Sequence, residues 1–395
     1  MQIMKKGVLC FLLLLFIQMG FAQSNLLWQG YFSYNEIKDV SESTTAVFAA
    51  SENALFSKNI TTSQIKTTNT IDGLSGQTIS ASYHSATFNK TIVGYENGLK
   101  VLKSDGQWQS YAMDTILDSA IDNNFGTIAI DKNGTKWLST SSDGVIGFNE
   151  SGNKFKKITT GPDTGNLPIA DVRTVAVDTR NQLWIGTTKG LRVLSNVGSF
   201  QTEDKLTANP IIILEDNLAQ ELLYEQFITD IAVDGANNKW IGTADSGVFL
   251  VSPNGQETKY HFTINNSPLP SNDINDIDIN STTGEVFIAT AKGLVSFKGV
   301  STAANDDLSN AYVYPNPVRP EYQGTVKIAG LLDKANIKIT DIEGNLVYET
   351  TSEGGTIEWD TTAFGKHKVA SGVYMIFISA QDGVETKVKK VMIIR

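Results

Sequence analysis

A phrase that returns about every 46 residues constrains this chain more than any other feature. Six copies align: Val47-Phe48-Ala49-Ala50 before Ala54-Leu55, Ile92-Val93-Gly94-Tyr95 before Gly98-Leu99, Trp137-Leu138-Ser139-Thr140 before Gly144-Val145, Trp184-Ile185-Gly186-Thr187 before Gly190-Leu191, Trp240-Ile241-Gly242-Thr243 before Gly247-Val248, and Phe287-Ile288-Ala289-Thr290 before Gly293-Leu294. From Ala54 through Gly98, Gly144, Gly190, Gly247 and Gly293 the steps are 44, 46, 46, 57 and 46 residues. Short alternating strands separated by polar turns argue against helices. A step of this length holds one four-stranded propeller blade.

Each of the last four copies is preceded by a strand ending in a polar turn: Ile128-Ala129-Ile130-Asp131, Val175-Ala176-Val177-Asp178, Ile231-Ala232-Val233-Asp234 and Ile277-Asp278-Ile279-Asn280. A blade is therefore expected to run from this strand to the Trp strand, the strand after Gly, and an outer strand such as Gln107–Tyr111 or Lys154–Ile158. The last copy lacks that outer strand, and Leu26–Phe32, which resembles the strand around Trp108, is expected to supply it and remove an open sheet edge. Six blades follow from the count, and seven remain open if an irregular blade lies in the 57-residue step. Within that step Glu215 to Phe227 reads as helix, with Leu218, Leu222 and Tyr224 on a weak apolar stripe, inserted between blades.

The pattern changes after Ser301–Asp307, a polar stretch that places a linker over residues 301–310. From residue 311 to 395 about seven short strands are expected: Tyr312–Tyr314, Thr325–Ile328, Asn336–Thr340, Leu346–Thr350, Thr356–Trp359, Gly372–Ser379 and Thr386–Ile394. Together they suit a small Ig-like β-sandwich. Gly344 in Asp341-Ile342-Glu343-Gly344-Asn345 and Gly383 after Asp382 are expected at positive φ in hairpin turns. The whole chain is thus all-β, a propeller over residues 23–300 followed by a sandwich.

Residues 1–22 fit neither unit. Lys5-Lys6, the apolar run Val8 to Ile17 and Gly20-Phe21-Ala22 have the order of a secretory signal peptide, with the mature chain starting near Gln23. The apolar run of about ten residues is short of the roughly 20 that span a bilayer. Cys10, the single cysteine, lies inside it, so the mature chain offers no disulfide, thiol nucleophile or cysteine metal site. Removing two lysines and no acids takes the formal charge from −10 to −12, which makes nucleic acid an unfavourable partner.

Catalytic signatures are missing from the sequence: there is no Gly-x-Ser-x-Gly elbow, His-Glu-x-x-His, P-loop or dinucleotide loop. His84, His261 and His367 fall in a blade turn, an outer strand and the sandwich. Asp131-Lys132-Asn133-Gly134 and Asp178-Thr179-Arg180-Asn181 resemble calcium loops faintly, but they recur at one blade position and carry too few carboxylates, so turns are the simpler reading. Trp137, Trp184 and Trp240 are expected to pack between blades, with a sugar-binding face as the alternative. No cofactor and no metal site are expected, and the chemistry is expected to be binding rather than catalysis.

Four phrases in the last 82 residues carry a resemblance. They are Tyr314-Pro315-Asn316-Pro317, Asp341–Tyr348 around Gly344, Ser371-Gly372-Val373-Tyr374-Met375-Ile376-Phe377, and Lys389-Lys390-Val391-Met392-Ile393-Ile394-Arg395. Their order and spacing resemble the C-terminal sorting domain of the type IX secretion system, which implies export across the inner membrane, then across the outer membrane, in a Bacteroidota bacterium. Lys387, Lys389 and Lys390 are expected largely on one face of the last strand, either solvated or touching the translocon. The Trp-Ile-Gly-Thr repeats also resemble propellers of hybrid two-component regulators, a likeness of fold only.

With the start Asn25–Tyr34 and the phrase Thr70-Ile71-Asp72-Gly73-Leu74-Ser75-Gly76, the chain resembles the PorZ family of type IX accessory proteins. That resemblance implies a place at the cell surface with the sortase PorU and PorV- and PorQ-like proteins, presenting anionic lipopolysaccharide for attachment to cargo. The family carries two propellers and this chain has room for one. The rival reading is a secreted cargo propeller, an adhesin or glycan-binding protein whose sorting domain is cleaved off.

Overall fold

A computed structural model describes residues 28–30, 37–42, 46–51, 54–59, 61–69, 81–85, 90–95, 98–102, 108–112, 125–215, 218–299 and 301–395. The leader 1–22 and the phrase Thr70–Gly76 lie outside them. The chain divides into two compact units, one of residues 1–233, 239–278 and 286–298, the other of 234–238, 279–285 and 299–395.

The first unit carries the propeller, in which the described residues form six blade sheets. Blade 1 is Ile37–Glu42, Ala46–Ser51, Ala54–Asn59 and Ile65–Asn69; blade 2 is Ala81–Ser85, Lys90–Tyr95, Gly98–Leu102 and Trp108–Ala112; blade 3 is Phe125–Ile130, Lys136–Thr140, Val145–Asn149 and Lys154–Ile158. Blade 5 is Ile228–Val233, Lys239–Thr243, Val248–Val251 and Thr258–Phe262. Blade 6 joins Ile274–Ile279, Glu285–Thr290 and Gly293–Lys298 to Trp28–Gly30, with Trp28 opposite Phe297 and Gly30 opposite Val295.

Blade 4 differs from the expected four strands. It has three, Val172–Val177, Leu183–Thr187 and Gly190–Leu194. In the outer position Val193 and Asn209 exchange only one pair of backbone bonds, at 2.8 and 2.9 Å. The chain between them makes a one-turn helix, Ser199–Thr202, whose neighbour Gly198 has no capping side chain. Phe200 is fully buried, meets Trp137 of blade 3 edge-on at 5.7 Å and packs in one cluster with Leu183, Ile185 and Leu194 of blade 4.

The expected helix from Glu215 to Phe227 is likewise absent. Ile212–Glu215 pairs with Leu218–Glu221 in a separate two-stranded hairpin. A helix of fewer than about four turns is marginal without a buried face, and Leu218 and Tyr224 are 71% and 61% exposed while Leu222 is buried. Cross-strand pairing satisfies the backbone where a helical stripe would have nothing to pack on.

The repeat phrase is explained residue by residue. Asp131 accepts the N–H of Asn133 and Thr135 at 2.8 and 3.0 Å with one oxygen and the Trp137 indole N–H at 3.0 Å with the other. Asp178 does the same with Arg180, Gln182 and Trp184. Glycine in the second strand leaves room for the next blade: a Cβ on Gly186 would lie 2.6 Å from the Ile228 side chain, and one on Gly242 2.7 Å from that of Ile274. Thr140, Thr187, Thr243 and Thr290 close the following hairpin by donating to the carbonyls of Gly144, Gly190, Gly247 and Gly293. Gly190 (φ 119) and Gly293 (φ 135) adopt backbone that L side chains rarely do.

The second unit contains a three-stranded sheet, Tyr312–Tyr314, Val326–Ala329 and Thr356–Trp359, and a four-stranded one ordered Leu346–Thr351, Asn336–Thr340, Gly372–Ser379, Thr386–Ile393. A short hairpin, Thr362–Ala363 with His367–Lys368, is added to the seven expected strands. The core is Ile328, Ile337, Ile339, Trp359, Ile376, Val391 and Ile393. Residues 301–310 pack on this unit although their composition is polar: Leu308 is fully buried, its N–H donates to Glu385 at 2.7 Å, and Asn305 donates to Leu331.

Candidate functional site

Two of the tail phrases, Tyr314–Pro317 and Ser371–Phe377, flank the last strand, while Asp341–Tyr348 leads into the strand at the opposite edge of the same sheet. Thr386–Ile393 lies antiparallel to Gly372–Ser379, with Gly372 opposite Ile393, Tyr374 opposite Val391 and Met375 opposite Lys390. Along its other edge runs the Tyr314–Pro317 segment. Pro315 and Pro317 have no N–H to offer a neighbouring strand. The Asn316 carboxamide takes over that role, donating to the Lys390 carbonyl at 2.9 Å and accepting from the Met392 N–H at 3.0 Å. Val318 then bonds Met392 and Ile394 through its own backbone, each at 2.8 Å.

The Ser371–Phe377 phrase holds the other end. Ser371 Oγ accepts the Arg395 N–H at 2.8 Å, and the guanidinium donates to the Val369 carbonyl and to Thr361 Oγ1. Tyr374 is buried against Trp359, rings 5.6 Å apart, and its hydroxyl donates to the Ala370 carbonyl at 3.0 Å. Burial raises its phenol pKa above the usual value, with Asp341 adding to the rise.

Asp341–Asn345 is a tight turn of the same type as the blade turns. The Asp341 carboxylate accepts the N–H groups of Glu343 and Asn345 and the Asn345 side-chain amide, between 2.8 and 2.9 Å. These bonds, that of the Asn345 side chain first, hold its carboxyl below the usual range. Gly344 has φ 91 and Gly383 φ 72.

The lysines of the last strand are divided, not gathered. Period-two alternation puts Lys387 and Lys389, both half-buried, on the side of Val391 and Ile393, while Lys390 is exposed on the opposite side with Val388 and Met392. The run Lys389-Lys390 puts two adjacent lysines on opposite faces.

In the propeller, Trp137, Trp184 and Trp240 are exposed by only 0, 1 and 2%. Their indoles lie inside the sheets and present no face to a sugar, because the turn aspartates draw Trp137 and Trp184 inward. In the third copy Asn238 takes the Asp234 oxygens, and the Trp240 indole N has no hydrogen-bond partner. The carboxylate oxygens of the calcium-like loops are taken by their own turns, by the following Trp and, at Asp178, by Lys239, and among the described residues no group of three or more His, Cys, Asp or Glu is arranged to hold a metal ion. His84 lies on the strand Ala81–Ser85 rather than in a turn. His261 stacks on Phe249 at 3.9 Å in an outer strand, and His367 is exposed on the short hairpin of the second unit.

Two buried charge sites escaped the sequence reading. Lys239, with no exposed side-chain surface, lies 2.9 Å from Asp178 of the preceding blade, 2.8 Å from the Pro253 carbonyl and 4.3 Å above the Trp184 ring. Asp230 accepts Thr174 Oγ1 from blade 4 and the Ile277 N–H from blade 6, each at 3.0 Å, and shares a hydrogen bond with Asp276. Burial pushes the Asp230 carboxyl up to about 6. A signal was present: Thr174, Asp230 and Asp276 occupy the same repeat position in three successive first strands.

Two family models match the chain. The N-terminal β-propeller domain of PorZ of the type IX secretion system matches residues 47–197, and the secretion system C-terminal sorting domain matches residues 312–394. No curated protein matches. Among solved structures, PorZ of Porphyromonas gingivalis, an essential bacterial surface component of that system, is 23% identical with a TM-score of 0.53 over 91% of this chain and 60% of its own. The chain therefore spans about three-fifths of that protein's length. Virginiamycin B lyase of Staphylococcus aureus (9% identity, TM-score 0.45, 68% of this chain and 98% of its own) and the extracellular domain attributed to a hybrid two component system of B. thetaiotaomicron (12%, 0.40, 93% and 57%) are more distant. The chain thus carries a segment similar to the PorZ N-terminal β-propeller and, after it, one similar to the secretion system C-terminal sorting domain.

Proposed function

We propose that the protein acts at the cell surface as a non-enzymatic accessory of type IX secretion, assisting sortase-dependent attachment of cargo by binding. The observation that carries this reading is the joint: a PorZ-type propeller segment on the same chain as a sorting-domain segment whose Tyr314–Pro317 and Ser371–Phe377 phrases flank the last strand. Its partners on this reading are the translocon and a sortase complex of PorU-, PorV- and PorQ-like proteins. Anionic lipopolysaccharide is the ligand it presents. Tyr314, Pro315, Asn316, Pro317, Gly344, Gly372, Val373, Tyr374, Lys389 and Lys390 form the address, of which Lys390 is exposed for contact and Asn316 and Tyr374 hold the strand in place.

Deletion of the gene in the native cells, followed by fractionation, tests this. Cargo proteins are expected to lose their surface attachment and regain it when the full chain is restored, and the surface-exposed protein is expected to end at Arg395 by mass spectrometry. Normal cargo attachment in the deletion strain would sink the proposal. A surface product truncated before Tyr312 would instead favour a secreted cargo propeller.

A further inference from the structure

The polar stretch that precedes the sorting segment has the composition of a free linker, yet it is anchored at short intervals. The Ser301 hydroxyl donates to the Asp234 carboxylate. The Thr302 carbonyl accepts the Gly355 N–H at 2.8 Å, and the Thr302 hydroxyl lies 2.8 Å from that of Thr356. Ala303 donates its N–H to the Ser281 carbonyl and Asn305 to that of Leu331, each at 2.8 Å. Leu308 is fully buried in the same cluster as Ile328 and Leu331, and its N–H donates to Glu385 at 2.7 Å. All of these partners belong to the second unit.

Glycines form the seat. A Cβ on Gly235 would lie 2.1 Å from the Thr302 carbonyl carbon. One on Gly355 would lie 2.1 Å from the Ala303 carbonyl oxygen and 2.7 Å from Thr302 Oγ1. Thr302 and Ala303 therefore fit only because both positions lack a side chain. The side chains of Ala303 to Asp307 are nevertheless exposed, so this stretch shows its side chains to solvent while much of its backbone is held.

A peptidase takes its substrate as an extended segment free of other backbone partners, so cleavage of a folded chain follows release of the backbone rather than exposure of side chains. We propose that residues 301–308 are a strap that shields the entry to the sorting segment from proteolysis, so that this segment stays on the chain unless the strap is first released. The hydrogen bonds of Thr302, Ala303, Asn305 and Leu308 must all open before a peptidase can bind there. The inference rests on the proposed function only for the consequence of keeping the sorting segment; the shielding is a property of the fold.

Limited digestion of the full folded chain with proteinase K, with products read by intact-mass spectrometry, is the test. Gly355→Ala puts a methyl against Ala303, and Leu308→Ala removes the buried anchor. Each is expected to raise the rate of cutting within residues 301–308 by about tenfold or more over the wild type, while sites in the propeller keep their rates. A wild type cut within the strap as fast as these variants overturns the proposal. If neither variant folds, Thr302→Gly, which removes the hydroxyl facing Thr356 and loosens an already exposed stretch, serves the same arm. Normal cargo attachment in the deletion strain would sink the proposed function and leave these rates as they are.

Discussion

Replacing Lys239 by methionine removes a cation that the propeller holds out of water between two blades. The ammonium contacts Asp178 at 2.9 Å, 61 residues earlier, and the Pro253 carbonyl at 2.8 Å, above the Trp184 ring. Breaking a buried pair by deleting one member costs about 3–5 kcal/mol, because the other charge is left behind without its counter-ion. Here the two ends are unequal. After Lys239→Met the Asp178 carboxylate still accepts Arg180 N–H, Gln182 N–H and the Trp184 indole, between 2.9 and 3.1 Å. That places Lys239→Met near the lower end, about 3 kcal/mol, and Asp178→Asn, which leaves an ammonium buried beside a neutral amide, near the upper end, about 5 kcal/mol. The Asp178→Asn, Lys239→Met double variant buries no net charge. It is expected to be more stable than Asp178→Asn alone and to fall short of the summed losses by at least about 2 kcal/mol. Urea unfolding followed by tryptophan fluorescence measures this in the propeller, which holds five of the six tryptophans (28, 108, 137, 184 and 240). The thermal midpoint of Lys239→Met should fall by roughly 6 °C or more. A loss under about 1 kcal/mol for either single variant, or strict additivity in the double, would refute the reasoning.

Other expected outcomes rest on neighbouring observations. The Asp230 carboxyl, raised to about 6 by burial, binds a proton in the folded chain at pH values where the unfolded chain has lost it. Its contribution is therefore greatest below about pH 4, the unfolded value, and is lost as pH rises through about 6, up to about 3 kcal/mol. Urea midpoints at pH 5 and 8 should show about half of that loss, and Asp230→Asn should reduce it. Part of the slope should remain, because burial also raises the carboxyls of Asp131 and Asp234. Asn316→Ala removes two bonds to the last strand and should cost about 1–2 kcal/mol, read as faster amide exchange at Met392 with the propeller unchanged. Trp184→Phe and Trp240→Phe remove similar volume, but only the first breaks an indole hydrogen bond. Trp184→Phe should therefore be worse by about 1 kcal/mol in the same urea assay, and equal losses would contradict the role given to the turn aspartates.

What could be read in advance was whatever depends on residues close in the chain. The Asp turn, the Trp two residues after it closes, the Gly that admits the next blade and the Thr that closes the hairpin all lie within about a dozen residues, and they repeat. Periodicity therefore carried the propeller, and the sandwich strands came within a residue or so of their observed ends. The error at Glu215–Phe227 arose from weak local preference: a stripe of three apolar residues suits a helix or a hairpin about equally, and the decision fell to which backbone bonds could be completed. The same holds for blade 4, where the outer position is held only by the Val193–Asn209 bridge.

Sequence by itself determined the repeat, the turn chemistry and the four tail phrases, since each is written in neighbouring residues with their own steric and hydrogen-bonding preferences. Only the tertiary structure decided that Asn316 clasps a strand 74 residues away, that Lys239 meets Asp178 and that Asp230 joins three blades. Those contacts need chain segments brought together from a distance, and of the three only the Asp230 site left a trace in the repeat, at Thr174, Asp230 and Asp276. It also decided that Lys389 and Lys390 face opposite ways, because the pleat of a strand divides what a linear run presents as one cluster.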